Sequence, residues 1–357
     1  MLTFHIKYFD IIIRGTADCP YISEEIIDFL INSHFKKGAD FTYANNSAPG
    51  TSAEIYNLST LKFIKMKKRN TSLSEYMTWY VMNNKKYFKV ISSERAKISI
   101  SAMKHGKDVM SDKPGCLSFS DLEQLRQTVQ QTGRIWSIDF SERFEVPAVT
   151  LASQLVSEGA IGDVIHTLGL GPHRLNANSR PNWFFDPNKN GGILADIGSH
   201  QIDQFLYFTK SERAEITLAS IRNMGHKEFT NFSDFGEISL RSEKANGYIR
   251  LDWFTPDALP TWGDGRLFLL GTDGSIEIRK YCDIGSEEEG NYVYLTNGTK
   301  YEKIYGGNAG CPYFYNFLVD VVERSETAMP QEHAFRVMEL AIEAQEMADG
   351  EKRNELI

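Results

Sequence analysis

The chain has 357 residues, of which 41% are hydrophobic and 24% charged, and it contains 22 Phe, 16 Tyr and 5 Trp. This composition is typical of a globular protein with more than one domain, and it excludes a disordered, collagen-like or disulfide-stapled chain. No apolar run reaches the ~18 residues of a spanning helix, and the net charge of −8 disfavours a nucleic-acid partner. We therefore expect a cytoplasmic protein that binds neither membrane nor nucleic acid.

The charge changes sign along the chain. Residues 1–90 carry 12 basic and 8 acidic side chains, whereas residues 91–357 carry 27 basic and 39 acidic ones. The basic run at residues 65–69 has two interpretations, a nucleic-acid patch or a solvated helix end, and we favour the second. The change of sign indicates that the two parts of the chain differ in origin.

The first part of the chain reads as an α/β unit. A β-branched run at residues 9–13 ends in a turn at 15–20, and Ser23 then provides the N-cap of a predicted helix. Two further strand-like runs follow at 41–44 and 54–58.

The same pattern restarts after Ile91. A helix over 96–104 precedes a strand at 108–110, and a helix over 121–132 precedes a strand at 134–140. Strands separated by helices are the arrangement that a parallel sheet requires. This stretch therefore predicts part of a Rossmann-like sheet.

The rest of the chain indicates a different architecture. A long polar loop leads into a predicted helix over residues 194–208, and five to seven strand-like runs without a helix between them then indicate an antiparallel sheet. The runs lie at 216–222, 235–241, 247–254, 266–270, 275–278, 292–295 and 301–305, and two helices follow at 312–324 and 332–348. We therefore expect an α/β part followed by an α+β part: a partial Rossmann-like parallel α/β sheet, then a large open antiparallel sheet domain with flanking helices.

The segment that begins at Gly191 contains the first candidate site. Asp196 and His200 are four residues apart and Asp203 follows three residues later, so on one helix all three side chains would share a face. A carboxylate can orient an imidazole, and a neutral His can take a proton from an alcohol. The alternative is a half-buried His–Asp pair that contributes to stability alone.

The turn Asp112-Lys113-Pro114 is the second candidate, because it ends a predicted strand. Ligand sites of open α/β sheets lie at such strand ends. A lysine there can hold its ammonium group against a substrate hydroxyl and stabilise an alkoxide. The alternative is an exposed turn lysine.

Together these segments resemble the Gfo/Idh/MocA oxidoreductases over about residues 92–348. The resemblance is carried by Gly106-Lys107-Asp108-Val109, Asp112-Lys113-Pro114, Asp139-Phe140-Ser141-Glu142-Arg143-Phe144, Trp183, and Gly191-Gly192 through Asp196-Ile197-Gly198-Ser199-His200. Three departures from the family pattern are visible: Asp112 replaces a Glu, Asp139 replaces a Gly, and one glycine of a triplet is missing.

The resemblance implies roles for the candidate residues. Lys113, Asp196 and His200 would form the catalytic set, with His200 taking a hydroxyl proton, Asp196 holding the imidazole and Lys113 stabilising the alkoxide. The substrate, a sugar or cyclitol, would contact Arg143, Trp183 and Asp203, while Lys113 and Pro114 would contact NAD or NADP. We also expect a homo-oligomer formed through the antiparallel sheet.

The segment before residue 106 departs from the family pattern, because it has no G-x-G-x-x-G turn to hold a dinucleotide pyrophosphate. We therefore expect weak cofactor binding. Residues of about 11–90 instead resemble an inner fragment of a sugar-activating cytidylyltransferase of the CMP-acidic-sugar or spore-coat polysaccharide type. The resemblance is carried by Arg14-Gly15-Thr16-Ala17-Asp18-Cys19-Pro20-Tyr21-Ile22 and Gly38-Ala39-Asp40-Phe41.

In the cytidylyltransferase resemblance, Asp18 helps to hold a divalent metal on nucleotide phosphates, so Mg is expected only if the fragment is active. The alternative for Asp18 is a turn aspartate that caps backbone amides. The nucleotide loop that should open such an enzyme is missing as well. The chain thus resembles two truncated enzymes joined near residue 91.

These observations predict three segments: a cytidylyltransferase-like fragment over 1–90, the remainder of a Rossmann-like domain over 91–145, and a substrate-binding and oligomerisation domain over 146–357. The leading hypothesis is an NAD(P)-dependent oxidoreductase acting on a sugar or cyclitol. The alternatives are a catalytically inactive binding or assembly protein in surface-polysaccharide or nonulosonate biosynthesis, a residual cytidylyltransferase, and a metal enzyme built on Asp196, His200 and Asp203.

Overall fold

The computed structural model describes residues 11–14, 24–44, 54–67, 81, 90–93, 95–180, 182–285 and 288–354. The chain divides into two compact units. The first comprises Met1–Asp112 and Gln124–Trp136, and the second comprises Lys113–Glu123 and Ser137–Ile357. Within the described ranges, no helix combines the length and the apolar character needed to cross a membrane.

A four-stranded sheet forms the centre of the first unit. Its strands are β1 (Ile11–Arg14), β2 (Phe41–Ala44), β3 (Glu54–Asn57) and β4 (Val90–Ser93), in the order β1-β3-β2-β4. The pairs β1–β3 and β3–β2 are antiparallel, and β2–β4 is parallel. This part of the chain is therefore an α/β unit whose parallel pairing joins the segments before and after residue 90.

Among the described residues, the helices that accompany this sheet include α1 (Glu24–Lys37), α2 (Leu58–Lys67) and α3 (Arg95–Lys104). Leu30 of α1 and Ile55 of β3 are fully buried together, and Ile98 of α3 packs against them. Because α3 belongs to the Rossmann-like segment, this contact shows that the two N-terminal stretches share one core.

The strand–helix–strand order expected next is present as β5 (Val109–Asp112), α4 (Phe119–Thr132) and β6 (Trp136–Asp139). Within the first unit, the Val109 N–H donates to the Ile135 carbonyl oxygen at 2.8 Å. Among the described residues, β5 is not hydrogen-bonded to the four-stranded sheet. The Rossmann-like α/β part predicted from the sequence is thus confirmed.

An eight-stranded sheet dominates the second unit. Its order is β16-β15-β12-β11-β7-β10-β9-β8, and every neighbouring pair is antiparallel except β7–β10, which is parallel. The strands are β7 (Val164–Pro172), β8 (Glu215–Arg222), β9 (Phe235–Arg241), β10 (Asn246–Asp252), β11 (Arg266–Gly271), β12 (Gly274–Arg279), β15 (Tyr292–Asn297) and β16 (Tyr301–Tyr305), while β13 (Cys282–Asp283) and β14 (Glu288–Glu289) pair separately. The large open sheet is confirmed, with one parallel pair at its centre.

The second unit also contains helices, several of which pack against this sheet. They are α5 (Ser141–Phe144), α6 (Pro147–Ser157), α7 (Pro187–Asn190), α8 (Gly192–Asp196), α9 (Gly198–Phe208), α10 (Tyr313–Glu323) and α11 (Gln331–Asn354). The core between α6 and the strands β11, β12 and β15 is aliphatic, and Leu267 and Leu269 of β11 point into it. The intervening Leu270 is 49% exposed on the opposite face, as the alternation of side chains along a strand requires.

Candidate active site

The turn after β5 and the end of α8 meet in the second unit. Lys113 Nζ donates to Asp196 Oδ1 at 2.9 Å, and the two side chains are 18% and 16% exposed. The pair is therefore partly open to solvent and available to a ligand. An ammonium and a carboxylate from segments 83 residues apart thus form one polar centre.

The glycine pair before α8 places Asp196. Gly191 and Gly192 adopt φ angles of +87° and +79°, which side-chain-bearing residues rarely adopt. A Cβ on Gly192 would lie 2.3 Å from Gln345 Oε1, and that same oxygen accepts the N–H of Leu194 at 3.1 Å. The positive φ angles thus favour glycine at both positions, and Gln345 of α11, which faces Gly192, caps the first turn of α8.

His200 lies on α9, which is separated from α8 at Ile197. Its side chain is 2% exposed, and its Nδ1 has no hydrogen-bond partner among the described residues. Burial lowers the pKa of His200 to about 3, and nearby Lys113 acts in the same direction although Glu142 opposes it. The imidazole is therefore neutral throughout the physiological pH range.

The expected contact between Asp196 and His200 is not formed. The Asp196 carboxylate accepts from Lys113, and among the described residues His200 Nδ1 donates to no carboxylate. Ile197, with a φ of −88° and a ψ of −36°, is the single residue between α8 and α9. The lysine is thus a direct partner of the Asp196 carboxylate.

A buried ion pair lies close to His200. Glu142 Oε2 accepts from Lys280 Nζ and from Gln201 Nε2, both at 2.7 Å, and the Glu142 and Lys280 side chains are 1% and 0% exposed. Burial alone would raise the pKa of Glu142, but Lys280 and the histidines outweigh it and lower the pKa to about 2. Glu142 is thus a permanent anion near the imidazole, a feature that the sequence did not reveal.

A second histidine, His173, follows β7 and interacts with the same charges. Burial lowers its pKa to about 4, while Glu142 and Asp196 raise it and Lys113 lowers it. Its ring lies 5.4 Å from Trp253 and 4.2 Å from Trp262, measured between ring centroids. His173 adds a neutral hydrogen-bonding group, and its only sequence signal was its place directly after a strand.

Arg143 and Asp203, which were expected to contact substrate, bind each other instead. The guanidinium donates to both carboxylate oxygens at 2.7 and 2.6 Å, and His333 Nε2 lies 2.7 Å from Asp203 Oδ1. Asp203 is completely buried; burial raises its pKa, but Arg143 and His333 outweigh that effect and lower it.

Arg143 and His333 line a separate cavity of about 370 Å³ together with Tyr207 and Tyr313. Of the described residues, Lys113, Asp196 and His200 are not among those that line it. Arg143 and Asp203 thus form an ion pair of their own beside this cavity, and their contact with substrate stays a prediction.

The loop before α8 contributes aromatic and cationic groups. Trp183 lies in the short helix Asn182–Phe185, half-buried, with its ring 6.2 Å from that of Phe184. The guanidinium of Arg180 lies over the Phe184 ring at 4.6 Å and over the Trp253 ring at 5.6 Å. Burial lowers the pKa of Arg180, while its interaction with Asp196 raises it. Arg180 is therefore a neighbour of the predicted centre.

A metal centre on these residues is not supported. Asp18, the tentative metal ligand, lies outside the described residues. Within the described ranges, no group of three or more His, Cys, Asp or Glu side chains is arranged to hold a metal ion. Asp196 and Asp203 each bind a cation from the protein itself, Lys113 and Arg143 respectively.

The residues fit the reactive end of a nicotinamide cofactor better than its phosphate end. A partly exposed lysine, a carboxylate and a neutral imidazole are the groups that hydride transfer from an alcohol needs. The phosphate end lacks the usual support, because the sequence before residue 106 has no G-x-G-x-x-G turn.

Comparison with known proteins gives matches in both parts of the chain. Residues 149–277 match the model of the GFO/IDH/MocA C-terminal domain. A crystal structure described as an oxidoreductase from Erwinia carotovora atroseptica is 37% identical, with a TM-score of 0.69 over 82% of this chain and 89% of that chain.

Two curated relatives match smaller parts of this chain. Scyllo-inositol 2-dehydrogenase (NAD(+)) of Bacillus subtilis is 28% identical over 196 residues, which are 52% of each chain. The spore coat polysaccharide biosynthesis protein SpsF of the same organism is 32% identical over 81 residues, 22% of this chain and 34% of that protein. The chain spans about half the length, or less, of the curated relatives it matches.

The solved structure matches 82% of this chain, the domain match covers the large sheet from β7 into β12, and the quoted motifs meet at Lys113 and Asp196. The match to the spore-coat protein fits the cytidylyltransferase resemblance of the N-terminal part. The chain belongs to the Gfo/Idh/MocA family of oxidoreductases.

Proposed function

We propose that this protein is an NAD(P)-dependent oxidoreductase that moves hydride between a carbinol carbon of a sugar or cyclitol and a nicotinamide. The observation that carries the proposal is the contact between Lys113 Nζ and Asp196 Oδ1 at 2.9 Å, partly open to solvent. The relative that acts on scyllo-inositol with NAD(+) supports the substrate and cofactor class.

Each group has a distinct part in the proposed reaction. Lys113, held by Asp196, donates a hydrogen bond to the reacting hydroxyl oxygen and stabilises the alkoxide as hydride leaves the carbon. The neutral His200 accepts the hydroxyl proton in the oxidative direction. Its lowered pKa makes it a weak base in the free protein, and the negative charge that develops on the substrate oxygen opposes that effect.

Lys113 and Pro114 would hold the nicotinamide end of the cofactor, which supplies the hydride acceptor. Because the phosphate loop has no counterpart in this sequence, we propose that the affinity for the dinucleotide is weak. Trp183 would line the substrate side of the pocket.

The proposal is tested with a nicotinamide-absorbance assay over a panel of polyols and cyclitols. Replacement Lys113→Met should lower kcat by about 10²–10³-fold, the range measured for loss of one oxyanion donor. Lys244→Met is the matched control, since Lys244 is exposed and donates to the Lys210 carbonyl oxygen. Equal activity of Lys113→Met and the parent protein would contradict the assignment.

A second candidate function is a catalytically inactive binding or assembly protein in surface-polysaccharide or nonulosonate biosynthesis. It is favoured by the match to the spore-coat protein and by the absence of the glycine-rich loop from the sequence. Titration calorimetry with NAD(H) distinguishes this candidate function from the oxidoreductase. Saturable binding of NAD(H) would reject the inactive protein, whereas no heat of binding at millimolar cofactor would reject the oxidoreductase.

We also propose that the open face of the large sheet joins copies of the chain. Phe268 and Leu270 of β11 lie on this face, opposite the helices, and Leu270 is 49% exposed. Sedimentation analysis of the parent and of Leu270→Glu tests the interface. If the parent protein sediments with the mass of a monomer, the proposed interface is excluded.

A further inference from the structure

We infer that the proposed sugar site takes an anionic substrate, a sugar acid whose carboxylate is bound by Arg180. This inference rests on the proposed function, since it names the substrate class of that same site. It concerns a residue that the sequence motifs did not single out.

Arg180 uses only part of its hydrogen-bond donors within the described protein. Its Nε donates to the Leu175 carbonyl oxygen at 3.0 Å, and its two terminal nitrogens have no hydrogen-bond partner among the described residues. A guanidinium presents its donors as a rigid fork that matches a carboxylate bidentately. The two terminal nitrogens of Arg180 are therefore the donors that could bind an oxyanion of a ligand.

Two aromatic rings contact this guanidinium. The guanidinium carbon lies 4.6 Å from the Phe184 ring centroid and 5.6 Å from that of Trp253. These two cation–π contacts and the Nε hydrogen bond restrain the side chain, so less side-chain entropy is lost on binding. The cation is thus partly preorganised for a ligand.

Arg180 borders the same site as Lys113. Trp253, which the guanidinium contacts, also contacts the His173 ring at 5.4 Å between centroids. His173 and Arg180 both interact electrostatically with Asp196, the carboxylate that binds Lys113. A substrate with one hydroxyl at Lys113 would therefore reach the free side of Arg180 with another part of its ring.

The balance of charge favours a single negative charge on the substrate. Lys113 and Arg180 bring two positive charges to the one negative charge of Asp196, while Glu142 and Lys280 neutralise each other. His173 and His200 are neutral at physiological pH. A carboxylate compensates the excess, whereas a phosphate monoester, with a charge of about −1.5 to −2, exceeds it.

The experiment compares matched acidic and neutral sugars. The probes are D-glucuronate and D-galacturonate, their parent hexoses D-glucose and D-galactose, and D-glucose 6-phosphate, each assayed with NAD(P)+ for turnover and by saturation-transfer NMR for binding. We expect kcat/KM for the uronates to exceed that for the hexoses at least tenfold. Arg180→Gln should remove this preference, Arg180→Lys should retain part of it, and Arg241→Gln, at an exposed arginine paired with Glu215, should leave it unchanged.

Each result has a defined meaning. Turnover of hexoses and uronates at equal kcat/KM, unchanged in Arg180→Gln, would overturn this inference and leave the proposed oxidoreductase standing. Uronate binding that Arg180→Gln abolishes, without turnover of any probe, would support the inference and count against the oxidoreductase. Preference for the sugar phosphate, or no binding of either uronate, would overturn the carboxylate assignment.

Discussion

Buried charge near an imidazole is the main feature of this site at the scale of single residues. The sequence motifs led to Lys113 and Asp196, whose contact the structure shows, but not to Lys280, whose partner Glu142 is 138 residues away. Local spacing cannot predict such a pair, because only the folded sheet brings the end of β12 to α5. Local spacing likewise did not predict the partner of Asp203. This carboxylate was expected to contact substrate, and in the structure it pairs with Arg143.

The Glu142–Lys280 pair gives a prediction for stability. Glu142→Gln should lower the free energy of unfolding by about 3–5 kcal/mol, because it leaves the ammonium of Lys280 buried without a counter-charge. Urea denaturation at neutral pH measures the loss. The double variant Glu142→Met with Lys280→Met removes both charges and should recover most of it. A double variant less stable than Glu142→Gln would contradict this explanation.

At the scale of elements, strands were predicted better than the helices around the site. Alternating side chains revealed the strands of the large sheet, since each strand has one face toward the helices and one away from them. The parallel pairing of β7 with β10 was not predicted, because alternation within a strand does not indicate its neighbour. The predicted helix over 194–208 is two helices, α8 and α9, and the His200 N–H reaches back to the Ile197 carbonyl oxygen at 3.2 Å.

The start of α8 gives a prediction at this scale. Gly192→Ala should destabilise the second unit by about 1–3 kcal/mol, because alanine is strained at a φ of +79° and its Cβ would collide with Gln345. The control is Gly350→Ala in α11, where a Cβ meets no atom within 4 Å and the substitution should be neutral or stabilising. Thermal unfolding of both variants measures the difference. Equal melting temperatures would show that the glycine conformation is not required.

For the whole molecule, the buried neutral histidines connect the active site to acid stability. The pKa of His200 is about 3 in the folded protein, whereas an exposed histidine has a pKa of about 6.5. Above pH ~6.5 neither state binds the proton, so stability is independent of this group. As the pH falls below that value, only the unfolded chain becomes protonated, and folding stability decreases until the folded-state pKa is reached. The lowered pKa of His173 acts in the same direction.

The dependence of folding stability on pH can be measured by urea denaturation between pH 7.5 and 4.5. Below pH ~6, protonation of His200 in the unfolded chain should lower the free energy of unfolding by about 1.4 kcal/mol for each unit by which the pH falls. His200→Gln should reduce the slope of stability against pH by that amount, while His105→Gln, at an exposed histidine of the first unit, should not change it. An unchanged slope in His200→Gln would show that the imidazole is protonated in the folded protein.

The parallel pair β7–β10 has a consequence for chain connectivity. Its two strands are neighbours in the sheet, yet residues 173–245 lie between them in the sequence. Residues 173–214 leave the sheet and carry Arg180, the glycine pair, Asp196 and His200, and the chain then returns through β8 and β9. The two strands are paired along their length, from Asn246 beside His166 to Asp252 beside Pro172. A protease cut within the polar stretch around Arg180 should consequently leave two fragments that stay associated through this pairing, with α8 and α9 still packed against the sheet.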